Sequence, residues 1–258
     1  MKVSLQQVNA RREGLRALLK SDRYLSIARI CRLLGVSEAT ARRDVAALSD
    51  EGKITRTYGG AIGDYAAHFP AFHERESIAA TAKARIAQAA VQQIKPGKTY
   101  FLDAGTTLLA VATALSQTPL HGITFVTNNL PVAEVLSGIQ GYQIHLLGGQ
   151  FFSRQEILIG SNAQKMLELW KFDAAFLSAE GMTSEGLWNS QADVVTLQRT
   201  VISRTENVFF CLDATKINHQ ASCPLARWSE VPHIITDALP EQLVTAQIDL
   251  QPRQLVVA

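Results

Sequence analysis

Two groups of residues have the types and spacing to do chemistry. The first is compact: Ser37, Thr40, Arg42 and Arg43 fall close together, and their hydroxyls and guanidiniums are hydrogen-bond donors suited to base edges and phosphate oxygens. The second is dispersed. Asp103-Ala104-Gly105-Thr106-Thr107, Thr127-Asn128-Asn129, Gly148-Gly149, Glu180-Gly181 and Asp213-Ala214-Thr215-Lys216 each follow an apolar run. Gly105 lets backbone approach an anion, and the threonines donate hydrogen bonds. Asn and Asp bond hydroxyls, and Lys216 neutralises a phosphate or pairs with a carboxylate. Singly, each is also an ordinary turn or cap. Together they suit a small phosphorylated polyol.

The compact group needs a helix to present it. Ile27, Ile30 and Leu34 recur at helical spacing, Gly35 breaks that helix, Val36 staples the turn, and Ser37 is an N-cap for a second helix from Glu38 to about Asp50. Val45 and Leu48 face inward on it, leaving Ser37, Glu38, Thr40, Arg42 and Arg43 at its outward N-terminal end, where a recognition helix carries its contacts. A first helix over residues 5–20 carries an interrupted stripe of Leu5, Val8, Leu15, Leu18 and Leu19. Gly52 marks the C-terminal stop of the recognition helix. The β-branched run Ile54-Thr55-Arg56-Thr57-Tyr58, closed by Gly59-Gly60 and followed by Ala61-Ile62, predicts a hairpin. Three helices and a hairpin make a winged helix-turn-helix, with Arg56 beside Tyr58 on the wing to meet backbone phosphate or the minor groove. The bland alternative is two short amphipathic helices joined at a glycine, with Arg42-Arg43 as a solvated face.

The dispersed group needs a sheet. Apolar runs predict strands at Thr99–Leu102, Thr124–Val126, Gln143–Leu147, Ala174–Ser178, Val208–Leu212, His233–Thr236 and Leu255–Val257, alternating with helices near 107–116, 131–138, 161–169, 192–205 and 240–247. Such alternation predicts an α/β domain with a mainly parallel sheet, whose ligands bind beyond the carboxyl ends of its strands. An alanine-rich helix over Ser77–Ile94, ended by Pro96-Gly97, precedes it and leaves Lys83 and Arg85 for its exposed face. The expected domains are 1–63 for the winged helix-turn-helix, 64–76 for a linker containing Pro70, and 77–258 for an α/β domain that senses a phosphosugar and oligomerises.

Charge follows the same division. Residues 1–63 hold twelve Lys or Arg against six Asp or Glu, and residues 64–258 hold thirteen against seventeen. A basic module on an acidic one points to a polyanion partner at the N-terminal end only. Three widely spaced cysteines, Cys31, Cys211 and Cys223, argue against a disulfide scaffold, and six scattered histidines without i, i+4 spacing argue against structural zinc, so no metal or cofactor is expected. The polar, basic N-terminus has no apolar leader core, and no run of about 18 apolar residues occurs. The expectation is a soluble, cytoplasmic protein with no membrane partner.

Several motifs in order resemble the DeoR family of bacterial sugar-catabolism regulators: Thr40-Ala41-Arg42-Arg43-Asp44, then Leu48 and Gly52, then Arg56-Thr57-Tyr58-Gly59-Gly60-Ala61. The family usually has isoleucine at the position of Ala41 and histidine at that of Tyr58. The strand-end segments resemble that family's C-terminal sensor domain, similar in fold to ribose-5-phosphate isomerase and responsive to phosphorylated sugars. Where many members carry an acid-rich segment before a Lys-Arg helix, this chain has Asn189-Ser190-Gln191-Ala192-Asp193-Val194 and later Gln198-Arg199. The segment Glu180-Gly181 to Gly186-Leu187-Trp188-Asn189-Ser190 looks more like the fucose-operon activator branch; the bland reading is that Trp188 is simply a packed aromatic.

These readings predict a non-enzymatic transcriptional regulator, repressor or activator, of a sugar-catabolism operon. Its DNA contacts are Ser37, Thr40, Arg42, Arg43, Arg56 and Tyr58. Its phosphosugar effector binds among Asp103, Gly105, Thr106, Thr107, Asn128, Gly148, Gly149, Glu180, Asp213 and Lys216. Operator DNA, the phosphosugar and further copies of the chain, as a dimer or tetramer, are its partners. The competing reading is a sugar-phosphate isomerase-like enzyme with an accessory DNA-binding module, using Asp103, Glu180, Asp213 and Lys216 for acid-base chemistry.

Overall fold

A computed structural model describes residues 5–21, 24–51, 53–56, 59–63, 70–117 and 120–258. The chain divides into two compact units, Met1–Pro70 with Gln220–Cys223, and Ala71–His219 with Pro224–Ala258.

In the first unit, α1 (Leu5–Ser21) and β1 (Tyr24–Ser26) precede α2 (Ile27–Leu34) and α3 (Glu38–Asp50), followed by β2 (Ile54–Arg56) and β3 (Gly60–Gly63). Its core is Leu15, Leu19, Leu25, Ile27, Ile30, Ala41, Val45, Leu48, Ile54 and Ala61, with Val36 packed against it. The Ser26 hydroxyl caps α2 by accepting from the Arg29 amide, and Gly35 ends that helix in the left-handed conformation, φ 62°. The hairpin expected from sequence is β2 and β3, paired antiparallel, but it has a third strand: β1 pairs with β3, Leu25 opposite Ala61. Gly60 is required there, because a Cβ would lie 2.1 Å from the Leu25 carbonyl oxygen. Gly52, Tyr58 and residues 64–69 of the expected linker lie outside the described residues.

The second unit opens with a short helix, α4 (Phe72–Glu76), whose Phe72 is buried. Then comes α5 (Ala80–Val91), shorter than the expected Ser77–Ile94 because Ala79 takes the left-handed conformation, φ 53°, and Gln92 closes the helix. The main sheet strands are β4 (Thr99–Leu102), β5 (Ile123–Thr127) and β6 (Tyr142–Leu146), with α6 (Thr106–Gln117) and α7 (Leu130–Ser137) between them. A hairpin, β7 (Gln150–Phe152) and β8 (Ile157–Ile159), leads into α8 (Ser161–Leu167) and β9 (Phe172–Leu177). After β10 (Gly181–Thr183) and β11 (Gly186–Asn189) come α9 (Ala192–Ser203), β12 (Thr205–Cys211), β13 (Cys223–Ala226), β14 (His233–Thr236), α10 (Pro240–Thr245) and β15 (Leu255–Val257).

All seven strands expected from sequence form one sheet in the order β15-β14-β12-β9-β4-β5-β6, every pairing parallel. The chain leaves β4 for β5 and β6, then returns to the other side of β4 as β9. The direction of winding therefore reverses between β4 and β9, which is where doubly wound sheets open a crevice. One face packs against α5, α6 and α7 through Ile86, Ala90, Leu102, Val111, Leu115, Phe125 and Phe176. The short strands β10, β11 and β13 form a separate three-stranded sheet. There Trp188 is buried and its indole donates to the Thr183 hydroxyl at 2.9 Å, the packed aromatic of the bland reading. No helix among the described residues is long and apolar enough to cross a membrane.

Candidate DNA-reading helix and sheet-edge site

The reading helix is built on its own cap. Ser37 is extended, and its hydroxyl accepts from the Thr40 amide at 3.3 Å and bonds the Thr40 hydroxyl at 3.0 Å. Exposed Arg42 pairs with Glu38 one turn earlier, while exposed Arg43 makes no ion pair among the described residues. The next residue turns the other way. Asp44 is buried and accepts from Arg11 Nε at 2.6 Å, Arg11 Nη2 at 3.2 Å and Arg12 Nε at 3.2 Å, which pins α3 to α1 and holds the Arg11 guanidinium even more firmly protonated than usual. Arg56 lies on β2, at the wing. Tyr58 lies outside the described residues.

Along the carboxyl edge of the sheet the expected residues separate into distinct environments. Asp103 is buried at the end of β4. Its carboxylate accepts from the Ala104 amide at 2.8 Å, the Ser178 amide at 3.3 Å and Gln198 Nε2 at 2.6 Å. Asn189 donates to Gln198 Oε1 at 2.6 Å and accepts from the Glu180 amide at 2.9 Å, while Ser190 bonds the Glu180 carboxylate. Asp103, Gln198, Asn189 and Glu180 thus form one polar chain tying β4 to α9. Gly105, φ 133°, lets Ser178 approach and accepts the first helical bond of α6 from Leu109, while Thr106 and Thr107 are buried at that helix's start.

Burial raises the Asp103 carboxyl to about 6, against the opposing pull of its three donors. The native state therefore holds a proton on Asp103 that the unfolded chain has lost by about pH 4. The stabilisation this provides is complete below pH 4, declines through pH 6 and is absent above it. We expect the stability of wild type minus that of Asp103→Asn to fall by about 3 kcal/mol between pH 4 and pH 7 in urea titrations. A pH-independent difference would refute the buried, protonated carboxyl.

Asn128 ends β5 beside Asp103, since Leu102 pairs with Thr127 in register. It is buried, and neither polar atom of its side chain has a hydrogen-bond partner among the described residues. Gly148 and Gly149 serve close packing: the Gly148 amide meets the Met166 sulfur at 3.0 Å, and a Cβ on Gly149, φ 149°, would lie 2.6 Å from the Ile159 carbonyl oxygen. Asp213 ends β12 and caps the following turn by accepting from the Thr215 amide at 3.0 Å, with Lys216 closing that turn.

One residue of the edge was placed wrongly by sequence. Lys83, expected on the exposed face of its helix, is buried, and its ammonium donates to the Arg75 carbonyl. It stands on the stripe that includes Ile86, Ala87 and Ala90, a spacing that marks it as inward-facing. Burial lowers it to about 8, moderated by Asp213, while Lys216 pushes it further down. Lys83 and Thr106 also line a cavity of about 280 Å³ between α5 and α6, together with Glu76. Arg85, on the same helix, is exposed and reaches Asp237 at 3.0 Å. Gln198 and Asn189 were likewise not expected as members of the network. No cluster of three His, Cys, Asp or Glu side chains among the described residues is arranged to hold a metal ion.

A winged helix-turn-helix joined to a parallel α/β unit with polar strand ends defines a DNA-binding regulator with a sensor domain. Residues 11–64 match the DeoR-like helix-turn-helix domain and residues 78–238 match the DeoR C terminal sensor domain; the chain belongs to the DeoR family. Its relatives include the HTH-type transcriptional repressor GlcR of Bacillus subtilis, 30% identical over 93% of this chain and 92% of that one. Another is the glycerol-3-phosphate regulon repressor of Escherichia coli, 32% identical over 89% and 91%. Among solved structures, ribose 5 phosphate isomerase A from Neisseria gonorrhoeae aligns with a TM-score of 0.37 over 52% of each chain at 16% identity. The protein is a DNA-binding transcriptional regulator and not an enzyme.

Proposed function

We propose that the chain is a cytoplasmic repressor of a sugar-catabolism operon, released from its operator by a phosphorylated sugar bound at the carboxyl edge of the sheet. The division of labour follows the sequence reading, with residues 1–63 reading DNA and 77–258 sensing and assembling; of the expected linker 64–76, residues 71–76 fold with the second unit. Repression is favoured by the two relatives named above, both repressors. The observation that carries the effector site is the buried ammonium of Lys83, within electrostatic reach of Asp213 and Lys216 and among the residues that line the cavity of about 280 Å³ between α5 and α6. A desolvated cation beside an open volume is an arrangement that a phosphate relieves. The start of α6 at Thr106-Thr107 adds free amides to the same edge. The unpartnered amide of Asn128 offers both a donor and an acceptor to a sugar hydroxyl.

DNA contact falls to Ser37, the N-cap of α3, to Thr40, Arg42 and Arg43 on that helix, to Arg56 on β2, and to Tyr58. A homodimer or tetramer assembled through the sheet domain would read half-sites about one helical turn apart or a multiple of it. Calorimetry on the full chain tests the sensor assignment with sugar phosphates, the matching free sugars and inorganic phosphate. Binding of one sugar phosphate, at least about tenfold tighter than its free sugar, is the expected result. Heat from none of the sugar phosphates would leave the sheet domain as an assembly unit only.

A further inference from the structure

Arg42 and Arg43 are adjacent on α3, yet only Arg42 is held. Its Nε and Nη2 both donate to one carboxylate oxygen of Glu38, at 2.9 and 2.6 Å. Both side chains are largely exposed, so the pair adds little to stability. Its geometry is more informative. A guanidinium has two edges that can each grip a pair of acceptors: the side edge of Nε and Nη2, and the end edge of Nη1 and Nη2. Glu38 occupies the side edge and leaves the end edge, on a side chain that is 49% exposed, with the two parallel donors that match guanine O6 and N7.

We propose that Glu38 is a specificity-determining residue of the DNA reader: it buttresses Arg42 for end-on recognition of a guanine and, by its charge, rejects phosphate as a substitute partner. The buttress reduces the rotamer freedom that Arg42 must lose on binding. It also sets a carboxylate beside any phosphate that approaches the same guanidinium, and this like-charge contact opposes sequence-independent binding. Glu38 suits its place for a second reason, since a carboxylate in the first turn complements the helix dipole. Arg42 is therefore the base reader, and Arg43, without a carboxylate beside it, is the phosphate contact. The inference rests on α3 being the recognition helix.

Selection of duplexes from a randomised library by the full-length protein, followed by titration of the selected and a scrambled duplex, tests it. Wild type should select half-sites with a fixed guanine. Glu38→Gln should still bind DNA, hold the scrambled duplex more tightly, and lose roughly tenfold of its preference for that guanine. Arg42→Lys, which keeps the charge but not the two-donor edge, should relax the same position, whereas Arg43→Ala should weaken all duplexes alike and lower the salt dependence by about one ion. If Glu38→Gln selects the wild-type consensus with unchanged discrimination, or if the guanine is lost with Arg43→Ala instead of Arg42→Lys, the inference is wrong while α3 remains the reader. If wild type selects no consensus, the recognition-helix assignment fails and the inference falls with it.

Discussion

Asp44→Ala is expected to unfold the DNA-binding unit while leaving the sheet unit native. The Asp44 side chain is 3% exposed, and the two arginines it receives are 18% and 26% exposed. Removing the carboxylate strands two guanidiniums in a partly dehydrated seam between α1 and α3. Breaking a buried pair costs about 3–5 kcal/mol; because both arginines keep some water contact, we expect about 2–4 kcal/mol here. A unit of about 60 residues has little stability to lose. Trp170, Trp188 and Trp228 all lie in the sheet unit, so tryptophan fluorescence should unfold as in wild type while helical circular dichroism melts earlier and DNA binding disappears. Retention of DNA affinity with a single, unshifted melting transition would show that Asp44 does not secure the recognition helix.

Lys83→Met is expected to have the opposite signature, a more stable protein that no longer senses its effector. The ammonium is lowered from 10.5 to about 8, chiefly because burial strips it of water. Between those two pH values the unfolded chain binds the proton and the native state does not, so stability rises with pH through that window. At pH 7 the charge is retained in both states and its desolvation lowers stability by about 1–3 kcal/mol. Methionine fills similar volume without that penalty. It forfeits the bond to the Arg75 carbonyl, but removing both the charge and its need for a partner is a mild change. The variant should melt a few degrees higher and lose the rise in stability above pH 8. Losing a desolvated cation from a phosphate site should weaken the effector by roughly thirtyfold or more. Unchanged effector affinity in a stabilised variant would place the site elsewhere on the sheet edge.

The main sheet was legible because its strands are short apolar runs closed by turn residues, and all seven lie in one parallel sheet, whose strand order the runs themselves do not encode. The short strands β1, β7 and β10 gave no such signal: they are too brief for alternation to register and exist only through pairing. Boundaries shifted where one backbone conformation decided them, as at Ala79, whose positive φ no alanine-rich sequence advertises. In the site, the strand-end carboxylates and hydroxyls were visible from position alone. Their partners were not. Gln198 reaches Asp103 across 95 residues of sequence, and Asn189 joins it only because β11 ends beneath α9. Lys83 was visible in principle, since it shares a helical stripe with Ile86, Ala87 and Ala90. A preference for placing lysine outside overrode that spacing.

The two domains become a regulator only if the effector binds the free and DNA-bound forms with different affinity. Fluorescence anisotropy of the labelled promoter fragment next to the protein's own gene measures this directly, with full-length protein bound and sugar phosphates, fuculose 1-phosphate included, titrated singly. Release of the DNA by one sugar phosphate, with at least about a fivefold loss of affinity and no effect of its free sugar, is the predicted result. Specific DNA binding that every compound leaves unchanged, in a protein shown by calorimetry to bind one of them, would contradict the account.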